Sequence, residues 1–282
     1  MIAEVVTDTL GVGVVSVARL GGGDVARSSR VELADGRTVF AKTKSGAAPE
    51  FFDTEARGLG WLREANALPV PEVLVVSTDP PALVLEWIDE AHGRPDSDAA
   101  FGRALAALHR AGAPCFGRSD RRTTGSRGLP NEPMDSWADF YGRQRLLPLA
   151  RLAADEGALP PDTVTALESI AERLPEFGAA DEPPARLHGD LWAGNRLVDA
   201  DGRSLLINPA AHGGHREFDL AMMQLFGGWA NDAFAAYDEV SPLADGWRDR
   251  VGLHQLAPLA VHAIKFGGGY VGATARATDR YR

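Results

Sequence analysis

The segment that decides the fold is HGDLWAGNRLVDADGRSLLINP, residues 188–209. With the two residues before it, its pattern predicts three short strands, RLHGD, NRLVD and SLLIN, around a loop and a DADG turn. Asp190 and Asn195 stand at the two ends of the loop and are separated by Leu-Trp-Ala-Gly. A strand that runs into an Asp/Asn-rich turn is one explanation of these residues, and a catalytic loop is the other.

The spacing between Asp190 and Asn195 is that of the protein-kinase catalytic loop. There the aspartate accepts or orients the proton of the acceptor hydroxyl, and the asparagine holds a magnesium ion. His188 precedes the aspartate by two residues, as in that loop. Because a D-x-x-x-x-N pair is common by chance, the surrounding strands carry much of the argument.

Up to about residue 88 the chain shows strand and turn signals. Five segments have strand patterns: VVSVARL, VARSSRVEL, RTVFAKT, VLVVS and ALVLEWI. After the third strand, Phe52, Ala56, Leu59 and Leu62 recur at helical spacing. The pattern predicts a small α+β lobe of five strands with one inserted helix.

After about residue 95 the pattern becomes helical, beginning with SDAAFGRALAALHRAG. Further helical patterns cover residues 135–149, 162–174, 219–237 and 246–261. We therefore expect an α+β fold of two lobes joined near residues 86–89. The N-terminal nucleotide-binding lobe would span residues 1–88, and the mainly helical catalytic and substrate-binding lobe residues 89–282.

A lysine and a glutamate in the N-terminal lobe fit a phosphate-binding pair. Lys42 lies on the third predicted strand, and Glu55 lies on the following helix. In kinases such a lysine grips the α- and β-phosphates and is held by a glutamate from that helix. Lys44 shares the same strand face and is a rival, and an exposed ion pair is the alternative.

Three glycines, Gly21, Gly22 and Gly23, lie between the first two predicted strands. Glycine lets backbone N–H groups approach phosphate oxygens, although for this feature alone a flexible hairpin turn is the favoured explanation. FGGW at Phe226 and FGGGY at Phe266 are helix-end patterns whose glycines would also let a substrate approach.

Two polar residues have both a structural and a functional explanation. Asp219 opens a predicted helix, where it either interacts with the helix dipole or braces the catalytic loop through backbone N–H groups. His109 lies in the middle of a predicted helix, and we expect a packed or hydrogen-bonded histidine rather than a ligand.

Composition excludes several classes of protein. The 282 residues are 45% hydrophobic and 24% charged, which is ordinary for a soluble globular protein. A net charge of −10 disfavours nucleic-acid binding. The single cysteine, Cys115, excludes an intramolecular disulfide. No segment has the pattern of a signal peptide or a membrane span. We expect a cytoplasmic protein, monomeric, with no nucleic-acid or membrane partner.

Several segments together resemble one enzyme family. They are LGGGDVARSSRVELADGRTVFAKT, FGRALAALHRAG, DSWADFYGRQRLLPL, HGDLWAGN, FGGGYVG and, most specifically, PAAHGGHREFDLAMMQLFGGW. Over nearly the whole chain these are similar to the fructosamine kinase (ketosamine 3-kinase) family, a relative of aminoglycoside phosphotransferases and protein kinases. General small-molecule kinases share HGDLWxGN but not GHRExDLAM.

The resemblance implies a bilobal protein-kinase-like fold that binds ATP and Mg²⁺ in its cleft. It implies an enzyme that phosphorylates a sugar hydroxyl, at C3 of a ketosamine, the adduct of a sugar with an amine. The phosphorylated adduct is unstable, so the overall effect is deglycation. Whether the sugar is fructose or ribose, and whether the amine is free or protein-bound, stays open.

The resemblance also implies roles for particular residues. Asp190 matches the catalytic base, Asn195 a magnesium ligand, and Lys42 and Glu55 the phosphate-gripping pair. The other matching positions are the glycine loop of Gly21, Gly22 and Gly23, the adenine-facing hinge of Glu86, Trp87 and Ile88, and the sugar-contacting Trp192 and His262. A tryptophan suits that place because its apolar face can cover the C–H side of a sugar ring. Packing between the lobes is the alternative for Trp192.

The chain departs from the family at Asn208, where members have the aspartate of an Asp-Pro-Ala sequence. That aspartate bridges the metal to the phosphates, and asparagine keeps an oxygen but loses a negative charge. The change could be disabling, which would make the protein a nucleotide-binding pseudokinase. It could be tolerated, with Asn195 and a carboxylate carrying the metal, or introduced to trap a complex. We favour a kinase with impaired or altered metal use, and a kinase of the aminoglycoside phosphotransferase type is the alternative.

Overall fold

An antiparallel sheet of five strands forms the N-terminal part of the computed structural model, which describes residues 2–21, 26–48, 50–91, 97–120, 123–124, 128–178 and 181–281. The strands are β1 (Val14–Arg19), β2 (Arg27–Leu33), β3 (Thr38–Thr43), β4 (Val73–Thr78) and β5 (Pro81–Glu86), in the spatial order β1-β2-β3-β5-β4. Helix α2 (Phe51–Glu64) follows β3. The predicted five strands with one inserted helix are confirmed.

The two faces of this sheet are covered by different helices. On one face, Val39 and Ala41 of β3 belong to a buried cluster with Val5 and Val6 of α1 (Ile2–Leu10), a helix that was not predicted from the sequence. On the other face, β5 packs against α2. Because successive side chains of a strand point to opposite faces, Lys42 lies on the α2 side.

The C-terminal part is mainly helical. Its helices are α3 (Ser97–Arg110), α4 (Trp137–Tyr141), α5 (Leu147–Asp155), α6 (Pro161–Arg173), α7 (Glu217–Phe226), α8 (Asn231–Val240), α9 (Trp247–Phe266) and α10 (Gly269–Asp279). A π-helical turn, Gly142–Leu146, connects α4 to α5, and 3₁₀ turns cover Leu174–Phe177 and Ala193–Asn195. No helix in the described ranges is both long and apolar enough to cross a membrane.

Short strand pairs interrupt the helices. They are β6 (Thr123–Thr124) with β7 (Leu129–Pro130), β8 (Ala185–Leu187) with β11 (His212–Gly214), and β9 (Arg196–Val198) with β10 (Ser204–Leu206). The pairs β8–β11 and β9–β10 frame the segment that begins at His188, so the predicted order of strand, loop, strand, turn and strand is confirmed.

Two helical predictions need correction. The pattern over 219–237 forms two helices rather than one, because Gly227 and Gly228 have positive φ angles of 66° and 84° and end α7. The helix predicted over 246–261 continues to Phe266, where the FGGGY pattern correctly indicated a helix end, and α10, which begins at Gly269 within that pattern, was not predicted.

The two parts of the molecule share one apolar core. Phe52 and Leu59 of α2 and Leu83 of β5 belong to the same buried cluster as Phe101 of α3 and Leu191 of the loop after β8. Burial of apolar surface across the junction therefore ties the parts together. The lobe boundary between residues 88 and 89 stays a prediction.

Close packing of α3 on α8 depends on Gly102, and we expect Gly102→Ala to destabilise the protein by about 1–3 kcal/mol. A Cβ atom at this position would collide with the carbonyl oxygen of Ala233. The free energy of unfolding in urea measures the effect. Gly60→Ala is the control, because a Cβ there meets nothing within 4 Å and α2 should gain about 0.5–1 kcal/mol. Equal stability of the two variants would contradict the prediction.

Candidate active site

The predicted lysine–glutamate pair comes together between β3 and α2. Lys42 Nζ lies 2.6 Å from Glu55 Oε1, and the two side chains are only 11% and 18% exposed. The rival Lys44 instead places its Nζ 4.2 Å from the ring centroid of Phe51. Lys42, rather than Lys44, therefore makes the interaction expected of a phosphate-gripping lysine.

Asp190 and Asn195 also meet, in the loop between β8 and β9. Asn195 Nδ2 donates to the backbone oxygen of Asp190 at 2.8 Å and to its Oδ2 at 3.1 Å. Gly189, with a φ of 80°, lets the loop pass against Ala210, since a Cβ atom would collide with the Ala210 carbonyl. The loop is thus held against the segment that carries Asn208.

Asp219 of α7 holds the backbone of this loop through hydrogen bonds. Its Oδ2 accepts from the N–H of His188 at 2.7 Å, and its Oδ1 accepts from the N–H of Gly189 at 2.9 Å. Burial alone would raise the pKa of Asp219, but the hydrogen bond and charge of His109 outweigh it and hold that pKa below its ordinary value. The geometry supports the bracing role over a simple interaction with the helix dipole.

Two histidines complete this support. His109 contacts the Tyr237 hydroxyl at 2.8 Å and Asp219 Oδ2 at 3.3 Å, as expected of a packed, hydrogen-bonded histidine. His188 Nε2 lies 2.9 Å from the carbonyl oxygen of Ile207, one residue before Asn208. Its Nδ1 lies 3.2 Å from the N–H of Asp190. His188 therefore links the two segments of the site.

Asp190 is placed in a low-dielectric position. Burial raises the pKa of its carboxyl group above the ordinary 3.8, partly opposed by His188, by the hydrogen bond from Asn195 and by His262. A raised pKa makes a carboxylate a stronger proton acceptor. The position suits a group that accepts or orients a hydroxyl proton.

Asn208 lies at the centre of a hydrogen-bonded line across the cleft. Its Oδ1 accepts from Lys42 Nζ at 2.5 Å, and its Nδ2 donates to Asn195 Oδ1 at 2.9 Å. Its backbone is left-handed, with a φ of 55°, a conformation that asparagine tolerates. The line therefore runs from Glu55 through Lys42, Asn208 and Asn195 to Asp190.

This set of groups does not fit a magnesium ion held at Asn208. Magnesium is usually bound by one or two carboxylates together with substrate phosphates. Asn208 offers no carboxylate, its oxygen is taken by Lys42, and an N–H group faces Asn195. Glu55, a carboxylate near the line, is paired with Lys42. Asp190 remains as the carboxylate beside Asn195.

An aromatic wall beside Asp190 consists of the rings of Trp192, Phe226, His262 and Tyr270. It contains both residues that were predicted to contact the sugar. The Phe226 ring lies 6.3 Å from Trp192 and 4.8 Å from His262, measured between centroids, and the Tyr270 ring lies 5.1 Å from His262. Trp192 is 42% exposed, so a ligand can reach its face. Phe226 and Tyr270 were not predicted as site residues, although the FGGW and FGGGY patterns marked their positions.

The predicted hinge begins at the end of β5, which lies between β3 and β4 in the sheet, and the first residue of the predicted glycine loop follows β1. Glu86 ends β5 and pairs with Val39, and Trp87 Nε1 donates to Asp89 at 2.9 Å. Gly21 follows β1 and is exposed. Gly22 and Gly23 lie outside the described residues, so their part of the prediction has no structural account.

A second buried group of titratable side chains joins Glu217 of the GHRExDLAM segment to Arg250 and His254 of α9 and is structural. Glu217 accepts from Arg250 at 2.6 and 2.9 Å, and His254 Nε2 lies 3.2 Å from it. Burial would raise the pKa of Glu217, but His254 and Arg250 outweigh it and bring the pKa to about 2. Because Arg250 already contacts both oxygens, a metal ion does not fit between His215, Glu217 and His254.

Known proteins are similar to this chain in sequence and architecture. A sequence model of the fructosamine kinase family matches residues 1–281. A Synechocystis protein assigned as a ketoamine kinase is 35% identical over 84% of this chain and 81% of its own. The chloroplastic protein-ribulosamine 3-kinase of Arabidopsis thaliana is 30% identical over 98% and 86%. A crystal structure from Thermobifida fusca, assigned as a fructosamine-3-kinase, is 44% identical with a TM-score of 0.88, over 99% of this chain and 98% of its own. The chain therefore belongs to the fructosamine kinase family.

Proposed function

We propose that this protein is an ATP-dependent kinase that phosphorylates a sugar hydroxyl of ketosamines and thereby promotes deglycation. The observation that carries the proposal is the line of contacts from Glu55 through Lys42, Asn208 and Asn195 to Asp190. It connects the two places where a kinase binds phosphates and activates a hydroxyl. Membership of a kinase family supports ATP as the phosphate donor.

In the proposed reaction Asp190 accepts or orients the proton of the C3 hydroxyl. The hydroxyl oxygen forms a bond to the γ-phosphorus of ATP, the bond to the β,γ-bridging oxygen breaks, and ADP leaves. Lys42, held by Glu55, contacts the α- and β-phosphates. The adenine would lie against the hinge of residues 86–88, and the glycine turn at Gly21 would cover the phosphates.

The aromatic wall supports a sugar-bearing acceptor. Trp192 offers an exposed apolar face to the C–H side of the ring, and His262 lies near enough to Asp190 to affect its pKa. The name of the Arabidopsis relative favours a protein-bound ribulosamine as acceptor. A cytoplasmic location, a monomeric state and the absence of nucleic-acid partners remain predictions.

The experiment that tests the function measures ADP release with ribulosyl-lysine as acceptor. This chain and Asn208→Asp are compared, each with an Asp190→Ala version as the inactive control. Release that depends on ribulosyl-lysine and disappears in Asp190→Ala supports a ketosamine kinase. Release with an aminoglycoside or an amino alcohol, but not with the glycated amine, would favour the alternative kinase type.

Removing the Trp192 ring tests the acceptor site. We expect Trp192→Ala, in the Asn208→Asp protein, to raise KM for ribulosyl-lysine about tenfold, because stacking on the sugar contributes about 1.4 kcal/mol. KM for ATP should stay unchanged, and Trp192→Phe should keep most of the affinity. An equal loss of affinity for ATP and the acceptor would indicate that Trp192 packs the lobes instead.

A further inference from the structure

The orientation of the Asn208 amide is fixed by Lys42. An ammonium group has three donors and no acceptor, so the atom that faces it must be an oxygen. Lys42 is itself held in place by Glu55, at 2.6 Å. The oxygen of Asn208 therefore faces Lys42, and the amide nitrogen is directed to the opposite side.

The side of the Asn208 amide that faces Asn195 is equally constrained. The Asn208 nitrogen donates to Asn195 Oδ1, while the nitrogen of Asn195 donates to Asp190. Turning the Asn208 amide would set its N–H₂ group against the ammonium of Lys42 and its oxygen against the oxygen of Asn195. Turning both amides would keep a donor–acceptor contact between Asn208 and Asn195. It would nevertheless set the Asn208 N–H₂ group against the Lys42 ammonium and the Asn195 oxygen against the Asp190 oxygens. One order of donors and acceptors is therefore favoured along the whole line.

An aspartate in the same place would behave differently. One of its oxygens would accept from Lys42, and the other would face Asn195 as a free ligand for a cation. Without a cation, its negative charge would also repel the phosphates of a nucleotide. Asparagine removes this repulsion and presents N–H in place of the ligand oxygen. The amide nitrogen carries two hydrogens, and its contact with Asn195 uses one of them.

We infer that this chain binds adenine nucleotide without a divalent cation at Asn208, whose amide N–H₂ group takes the place of that cation. The inference rests on the proposed function for the identity of the nucleotide. Lys42 supplies the positive charge, and the remaining N–H of Asn208 is a donor for a phosphate oxygen. The affinity for nucleotide is then set by the chain's own donors rather than by magnesium.

The test compares ADP binding by calorimetry in EDTA and in magnesium, for the full chain and for Asn208→Asp. For the chain with Asn208, the two Kd values should agree within about twofold. For Asn208→Asp, magnesium should tighten binding by about tenfold or more, and in EDTA this variant should bind more weakly than the original chain. Asn66→Asp is the matched control, because Asn66 is exposed and also has a positive φ, 49°. It should behave like the original chain.

Two outcomes would overturn the inference, and only one of them would also overturn the proposed function. If the chain with Asn208 binds ADP only when magnesium is present, the inference fails and the proposed kinase stands. If neither the original chain nor Asn208→Asp binds ADP under either condition, the nucleotide site itself is wrong and the proposed function fails with it.

Discussion

Replacing Asn208 by aspartate is expected to raise phosphoryl transfer to a ketosamine by up to about a thousandfold in magnesium-containing buffer. One charge pair at about 4 Å and an effective dielectric of 20 is worth about 4 kcal/mol. Each 1.36 kcal/mol of transition-state stabilisation changes a rate about tenfold. The restored carboxylate would place its charge beside Asn195, where the amide nitrogen now lies at 2.9 Å. The measurement is kcat/KM for ADP release with ribulosyl-lysine.

Asn66→Asp again serves as the control, since it adds the same charge at an exposed left-handed position on the chain. It should leave the rate unchanged. Comparable turnover of the original chain and Asn208→Asp would show that the site works without this carboxylate, and the electrostatic argument would then be too strong. A gain in rate by both variants would point to net charge rather than to the site.

Asp190→Asn, introduced into the Asn208→Asp protein, is expected to lower transfer by about 10²–10⁴-fold, the range that a positioned proton acceptor contributes. The amide keeps the shape of the carboxyl group and an oxygen for the Asn195 N–H, but it cannot take a proton. The rate of ADP release with ribulosyl-lysine checks this. A loss of less than about tenfold would exclude Asp190 as the base.

The same variant should be at least as stable as its parent at neutral pH. Burial raises the pKa of the Asp190 carboxyl group in the folded state. This group therefore stabilises the fold fully at a pH below its unfolded-state pKa, and that contribution is lost as the pH rises through its folded-state pKa. At neutral pH the negative charge of Asp190 therefore lowers the stability of the folded state, and Asp190→Asn removes that loss. The difference in Tm should shrink as the pH falls towards 3.8, the ordinary value. The exposed Asp8→Asn should show no such difference, and a lower Tm of Asp190→Asn at neutral pH would contradict the argument.

Local patterns were sufficient for the sheet and for the two chemical pairs. The first three strands are separated by turn-forming residues, and the last two are apolar runs. Lys42 and Glu55 lie on the adjoining elements β3 and α2, and Asp190 and Asn195 share one loop. Helix α1 was missed although Ile2, Val5, Val6 and Leu10 have helical spacing, because nine residues form a marginal helix without the sheet beneath them. Its stability comes from tertiary packing, which no local pattern records.

The aromatic wall and the Asn208 amide required the folded chain. The wall joins Trp192 of the loop between β8 and β9 to His262 of α9 through Phe226 of α7, and the sequence contains no measure of that approach. The amide orientation depends on Lys42, which is 166 residues away in the sequence. The sequence revealed the missing charge at Asn208, but only the contact with Lys42 determines which amide atom faces Asn195.

Pro209, which follows Asn208, has a chemical consequence for the ageing of the protein. An asparagine loses its amide nitrogen when the backbone nitrogen of the next residue attacks the side-chain carbonyl and closes a succinimide ring. The proline nitrogen carries no hydrogen, so this route is blocked at Asn208. Succinimide formation during storage will therefore not convert the chain into its aspartate form, and turnover of a purified sample does not arise by that route.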